Sequence, residues 1–261
     1  MLSILLLSAM SSILAVVIVS YMTIRMIQND GIKESMQIYL EQITREMDSD
    51  YYDMIGIVNQ MSPDGLIGSA TERYLSSNDN YDRYLEQKFL REELIKLGYV
   101  NTKLLGITYY DPKEQKELIG NFNVRVLDPT YQTISKVVVG ADNTIQAMHD
   151  SYLGIKETPV VSVMRRVSFG NQKMLDIYAE IEPDMSVSDQ LNKEKWPYTY
   201  MEMDENGIVQ YSNNPVIVRG QKILSELPKK EGYAVTNQEG YKIMVYRSTI
   251  GYANAIALPE N

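Results

Sequence analysis

From Leu2 to Ile24 the chain carries no charged residue. A run of that length, rich in Leu, Ile and Val, is enough for a helix to cross a hydrocarbon core of about 30 Å. It reads as a transmembrane helix. A cleaved signal peptide would have an apolar core of roughly 7–15 residues behind a basic flank, and here the run is longer and only Met1 precedes it. With so little before the span, the positive-inside comparison has almost nothing to count. The acidic remainder, free of cysteine, is expected outside the cell, anchored to the membrane through residues 2–24.

The helical pattern continues past the span. Met36, Leu40, Ile43, Met47, Tyr51, Met54, Val58 and Met61 follow steps of three and four, one face of a helix, while Glu34, Gln37, Glu41, Arg45 and Glu46 fill the other. Ser62-Pro63-Asp64-Gly65 ends the pattern, because proline lacks the amide the ladder needs and glycine permits the turn. A helix from Arg25 to Met61 would be roughly 55 Å long. Its stripe predicts packing against the chain's own sheets, and helix pairing in a homodimer is the second use such a face allows.

The rest of the composition removes whole classes of function. Cysteine is absent and His149 is the sole histidine, so disulfides, thiol nucleophiles, Cys-based zinc sites and most His-centred catalysis are excluded. His149 itself reads as a surface or packing residue. A formal charge of -9 repels nucleic acid. Asp204-Glu205-Asn206-Gly207 is a hairpin turn and too short for a calcium loop, and Lys229-Lys230-Glu231 has no phosphate-cradling glycines nearby. No metal, cofactor or nucleic-acid partner is expected.

Tyr81 to Leu97 gives a second helix, with Gly98 as its cap. Short apolar runs follow at Leu104–Tyr110, Leu118–Val126, Pro159–Ser168 and Lys173–Glu182, the last two around a turn at Phe169-Gly170-Asn171. Tyr131 to His149 reads as a mixed connection with room for a helix. After Pro183, Asp184 to Lys195 is charged enough for a connecting helix. A smaller block then offers strands at Tyr198–Met203, Ile208–Ser212, Tyr233–Thr236, Tyr241–Arg247 and Tyr252–Leu258, with a short helix at Gly220–Leu227. The expected fold class is α+β: a transmembrane helix, then a long helix carrying two antiparallel sheet modules, which the resemblance named below implies are PAS-like. The divisions are residues 2–24 for the span, 25–80 for the long helix and connection, 81–183 for a membrane-distal module and 184–261 for a membrane-proximal one.

The arrangement resembles the extracellular double Cache sensor region of Gram-positive, YesM-like membrane sensor histidine kinases. The likeness rests on the span and long helix, on Tyr81-Asp82-Arg83-Tyr84 before Gly106-Ile107-Thr108-Tyr109-Tyr110-Asp111, and on Val160 to Val167. It rests also on Asp204 to Asn213 and on the closing Ile250 to Pro259. Membrane-bound AraC-type regulators and chemoreceptors carry similar regions. The resemblance implies a two-component receptor whose second span, phosphoacceptor domain and ATP-binding domain are not among these residues, so this chain is expected not to be an enzyme. It also makes an amino-acid ligand less expected, since the Arg-x-Trp-Tyr element of amino-acid-binding relatives is missing.

The binding residues follow from alternation. On the strand at 174–181, Leu175, Ile177, Ala179 and Ile181 share a core face, and Met174, Asp176, Tyr178 and Glu180 the other. The preceding strand divides as Val161, Val163, Arg165 and Val167 against Ser162, Met164, Arg166 and Ser168. Pairing the two polar faces brings Arg166 near Asp176 and Tyr178, with Tyr109 and Tyr110 at the cavity mouth and one of those two in the core. The same faces also suit a solvated sheet with an ordinary cross-strand ion pair. Twenty tyrosines against three phenylalanines suit stacking on a sugar while hydrogen-bonding its rim. The expected ligand is a small polar solute, with a sugar as the favoured class. The rival reading is a membrane-anchored, carbohydrate-active exoenzyme; its tempting pair, Asp176 and Glu180, lies four residues apart on a strand, about 13 Å, beyond what glycosidases use.

Overall fold

The structure, a computed structural model, describes residues 2–122, 142–154, 159–170, 173–183, 198–217, 219–224, 227–229, 232–238 and 240–259. α1 (Leu2–Met61) is one unbroken helix of 60 residues. Gly31 does not interrupt it. In its first part Ile13, Leu14, Val16, Val19, Met22 and Ile27 stand largely exposed, and this is the one helix among the described residues long and apolar enough to cross a membrane. From Met36 onward the predicted stripe is the buried face: all eight of its residues, Met36 to Met61, are at most 2% exposed. Each large side chain so buried contributes roughly 1.5–3 kcal/mol, and that fastens the helix to what it carries.

α1 ends at Ser62-Pro63-Asp64-Gly65, as proline and glycine require. α2 (Leu66–Ser76) follows where the sequence suggested only a polar stretch. α3 (Asn80–Val100) starts at Asp79, whose carboxylate accepts from the amides of Tyr81 at 2.7 Å and Asp82 at 3.2 Å. It runs through Gly98, the expected cap, because Asn101 closes it instead. Lys103 then ties the chain back to α1 through Asp50 at 2.8 Å.

Two five-stranded antiparallel sheets follow. Sheet A holds β1 (Leu104–Asp111), β2 (Lys116–Phe122), β3 (Thr144–Asp150), β4 (Pro159–Phe169) and β5 (Lys173–Ile181), in the order β2-β1-β5-β4-β3. Sheet B holds β6 (Thr199–Met203), β7 (Val209–Ser212), β8 (Gly232–Gln238), β9 (Tyr241–Arg247) and β10 (Ala253–Pro259), in the order β7-β6-β10-β9-β8. Both are wound second, first, fifth, fourth, third, so they share a topology without sharing a sequence pattern. One core joins them: α1 packs on Ile177 and Val163 of sheet A and on Met244 and Ile256 of sheet B.

Two local expectations change. Thr144–Asp150 is strand β3 and not part of a mixed connection. Residues 220–224 are not helical: Gly220 N–H donates to Val209 O at 2.8 Å, Val209 N–H to Gln221 O at 2.9 Å, and Lys222 bridges Ile208 in antiparallel fashion. Residues 131–141, the connecting helix at 184–195 and Asn171 of the expected turn lie outside the described residues.

Candidate functional site

β5 runs through the middle of sheet A between β1 and β4, and its register lays side chains in three rows on the face away from α1. The first row is Tyr110, Asp176 and Arg166; the second is Thr108, Tyr178 and Met164; the third is Gly106, Glu180 and Ser162. Alternation dictates this, since residues two apart on a strand share a face.

The first row holds a two-pronged ion pair. Arg166 Nε donates to Asp176 Oδ1 at 2.7 Å and Nη2 to Oδ2 at 3.0 Å, with Asp176 fully buried and the Arg166 side chain 28% exposed. That is the bidentate geometry in which guanidinium and carboxylate match best. Tyr110 covers the pair from β1, and burial, then the Asp176 and Asp111 charges, push its phenol up.

The second and third rows are linked by hydroxyls. Tyr178 Oη donates to Glu180 Oε2 at 2.5 Å and Ser151 Oγ to Glu180 Oε1 at 2.6 Å. Burial pushes the Glu180 carboxyl up, against the pull of these donors. His149 also turns to this face. Its Nδ1 lies 2.6 Å from the Asp150 carbonyl, which can only accept, so Nδ1 carries the proton and Nε2 takes the Ser162 hydroxyl at 2.8 Å. Burial lowers the imidazole to about 4, so it is neutral at ordinary pH. Tyr152 stacks on its ring at 4.2 Å and tilts against Tyr178 at 5.9 Å.

Four of the five expected residues, Tyr110, Arg166, Asp176 and Tyr178, are therefore together. Tyr109 is corrected: its neighbours in register are Ile119 and Ile177, it faces α1, and its hydroxyl donates to the Met61 carbonyl at the helix end. Glu180 was weighed only as the partner of Asp176 in the exoenzyme reading, and Ser162 was visible in the alternation that placed Arg166 but was not singled out. His149 was read as a surface or packing residue; it is buried and held at both nitrogens.

The same face of sheet B is built differently. Where β5 presents Asp176, Tyr178 and Glu180, the middle strand β10 presents Ala253, Ala255 and Ala257, packed with Met201, Met203, Val245, Ile223 and Leu224. Only a cavity of about 150 Å³ remains there, beside Ile217 and Ile223. Burying polar groups costs free energy unless they are matched, so the buried polar layer of sheet A, beside an apolar plug on its twin, is the feature that packing alone does not call for.

No family model matches the sequence and no curated protein is similar to it. Solved structures are similar in fold. The sensor domain of the Vibrio cholerae histidine kinase DctB matches with a TM-score of 0.51 at 13% identity, over 90% of this chain and 99% of that one. The periplasmic sensory domain of the Campylobacter jejuni chemoreceptor Tlp1 matches at 0.52 and 12%, over 88% and 96%. The ligand-binding domain of Mlp24, solved with asparagine, matches at 0.51 and 12%, over 87% and 92%. The long helix with two antiparallel five-stranded sheets is thus the Cache-like fold of extracytoplasmic sensor domains, as the sequence resemblance implied. At 12–13% identity the likeness is one of fold.

Proposed function

We propose that the chain is the extracytoplasmic sensing region of a membrane-anchored two-component receptor, and that it binds a small neutral polar solute, a sugar or other polyol, on the outer face of sheet A. The observation that carries this reading is the buried polar layer of Tyr110, Asp176, Tyr178, Glu180 and His149, set against the apolar plug at the same place in sheet B. Residues 2–24 would hold the membrane, 25–80 would form the signalling helix and its connection, and 81–183 and 184–261 the membrane-distal and membrane-proximal modules. α1 runs without a break from the apolar segment to the junction of both sheets, so a displacement at one end can reach the other, in a homodimer, as relative motion of two such helices.

A neutral ligand is favoured by charge. Arg166 and Asp176 take up each other's charge, and His149 is neutral. What remains on the face is hydroxyls, an imidazole, the Glu180 carboxyl and, beside Tyr152 and His149, the Arg219 guanidinium, two opposite charges among hydroxyls, a set that suits a ligand rich in hydroxyls and without net charge. An amino acid, the class of ligand with which Mlp24 was solved, would have to compete with the Arg166–Asp176 pair for both of its charged ends.

Thermal unfolding of the full chain in detergent, with neutral sugars and polyols, amino acids and dicarboxylates each at millimolar concentration, tests the class. A polyol at a hundred times its Kd is expected to raise the Tm by about 5–10 °C. Stabilisation by an amino acid alone would overturn the sugar assignment.

A further inference from the structure

The place where both sheets meet α1 holds a carboxyl that the binding face does not use. Glu202, on β6, points toward α1 and is fully buried. It accepts from Tyr51 Oη of α1 at 3.3 Å and from the Met148 amide of β3 at 2.9 Å. The same Tyr51 hydroxyl lies 3.1 Å from the Gln146 carbonyl. One side chain thus touches the long helix, the edge strand of sheet A and a strand of sheet B.

The groups facing Glu202 do not neutralise it. They are Tyr51 on α1, Tyr200 on β6, Tyr211 on β7 and Tyr252 just before β10, all phenols, with the amide of Met148 on β3. Among the described residues it makes no ion pair, and the charged residues lining the cleft beside it are Asp204 and Glu205. Burial therefore pushes its carboxyl up to about 7, with the Met148 amide and the Tyr51 hydroxyl pulling the other way. The cleft, about 350 Å³ in volume, runs between the sheets past Gln146 and Gln210 to solvent.

A carboxyl that titrates higher when buried than in water favours the closed arrangement when protonated and the hydrated one when charged. Its contribution to stability is full below the unfolded value of 4.5 and is lost as pH rises through about 7. We propose that Glu202 is a proton-operated latch: holding its proton, it keeps β3, β6 and α1 together, and on losing it to water in the cleft, the buried charge opens the junction. β3 gives this latch a reach. Met148 bonds Glu202 while its neighbour His149 bonds Ser162 on the polar face, so the state of the junction bears on the binding face. As a regulator of sensing the latch rests on the function proposed above; as a latch it does not.

The test needs no solute, so it fails or succeeds separately from that function. In the full chain in nanodiscs, which has no cysteine of its own, spin labels at Lys113→Cys on sheet A and Val216→Cys beside sheet B report the distance between the modules. The distribution is expected to be narrow at pH 5.5 and broader and longer at pH 8.5, with a midpoint near 7. His149, titrating at about 4, stays neutral across that range. Glu202→Gln, neutral and of the same shape, is expected to stay narrow at both pH values. Tyr51→Phe, which removes a donor to the charged form, is expected to move the midpoint to higher pH. A parental distribution unchanged by pH, a broadening that persists in Glu202→Gln, or a midpoint unmoved in Tyr51→Phe would each overturn the latch.

Discussion

Arg166→Ala is expected to lower folding stability by about 2–3 kcal/mol, measured by urea unfolding of the full chain. Removing one member of a buried pair costs about 3–5 kcal/mol because the other charge stays buried. The figure is reduced here because the arginine side is 28% exposed while the Asp176 side is fully covered, so water screens part of the interaction. Adding Asp176→Asn to Arg166→Ala is expected to recover part of the loss, since the stranded charge disappears with it. A loss below about 0.5 kcal/mol would be that of an ordinary exposed ion pair, and would mean the first row of the face is wet rather than buried.

Gly68→Ala is expected to cost about 3 kcal/mol or more, for a reason of space alone. A Cβ at Gly68 would stand 1.8 Å from the Ser62 carbonyl oxygen and 2.4 Å from its carbon. Both are backbone atoms of the turn that ends α1. That turn is held from two sides: Ser62 Oγ donates to Val58 O at 2.9 Å, and Arg165 reaches Ser62 Oγ at 3.3 Å. Neither atom can yield without moving α1 or sheet A, and overpacking of this kind costs about 1–3 kcal/mol or more. Gly56→Ala is the control: nothing lies within 4 Å of the added Cβ, and alanine in a helix interior is expected to gain about 0.5–1 kcal/mol. Equal urea midpoints for the two variants would contradict the close seating of α2 on the end of α1.

What the sequence made legible was periodicity over long stretches. The stripe from Met36 to Met61 is the buried face of α1 residue for residue, because a helix carrying two sheets must be apolar on one side throughout. The β5 alternation was equally clear, and it placed Asp176 and Tyr178 on one face before any partner strand was known. Short or irregular elements were not legible. α2 contains Gly68, Ser69 and Thr71, weak helix formers, and owes its place to the close approach at Gly68. β3 follows a long stretch of mixed character, and its bulge between Gln146 and His149 breaks the alternation that would have revealed it.

The choice between Tyr109 and Tyr110 could not be made from β1 alone. Adjacent strand residues always point to opposite faces, and only the register with β5 says which face is which. Glu202 was hidden for a different reason. It reads as one polar residue in a short strand, and its buried character is created by Tyr51 and Met148, which lie 151 and 54 residues away in the chain.

The account stands most directly on the affinity of the full chain for the polyol that stabilises it best, measured by isothermal titration with Asp176→Asn and Tyr178→Phe beside the parent. Both substitutions keep side-chain shape and alter only the polar groups of the face. The account predicts that each weakens binding at least about tenfold, near 1.4 kcal/mol, while unfolding stays cooperative. Parental affinity in both variants, with folding intact, would contradict it and remove the outer face of sheet A from the binding site.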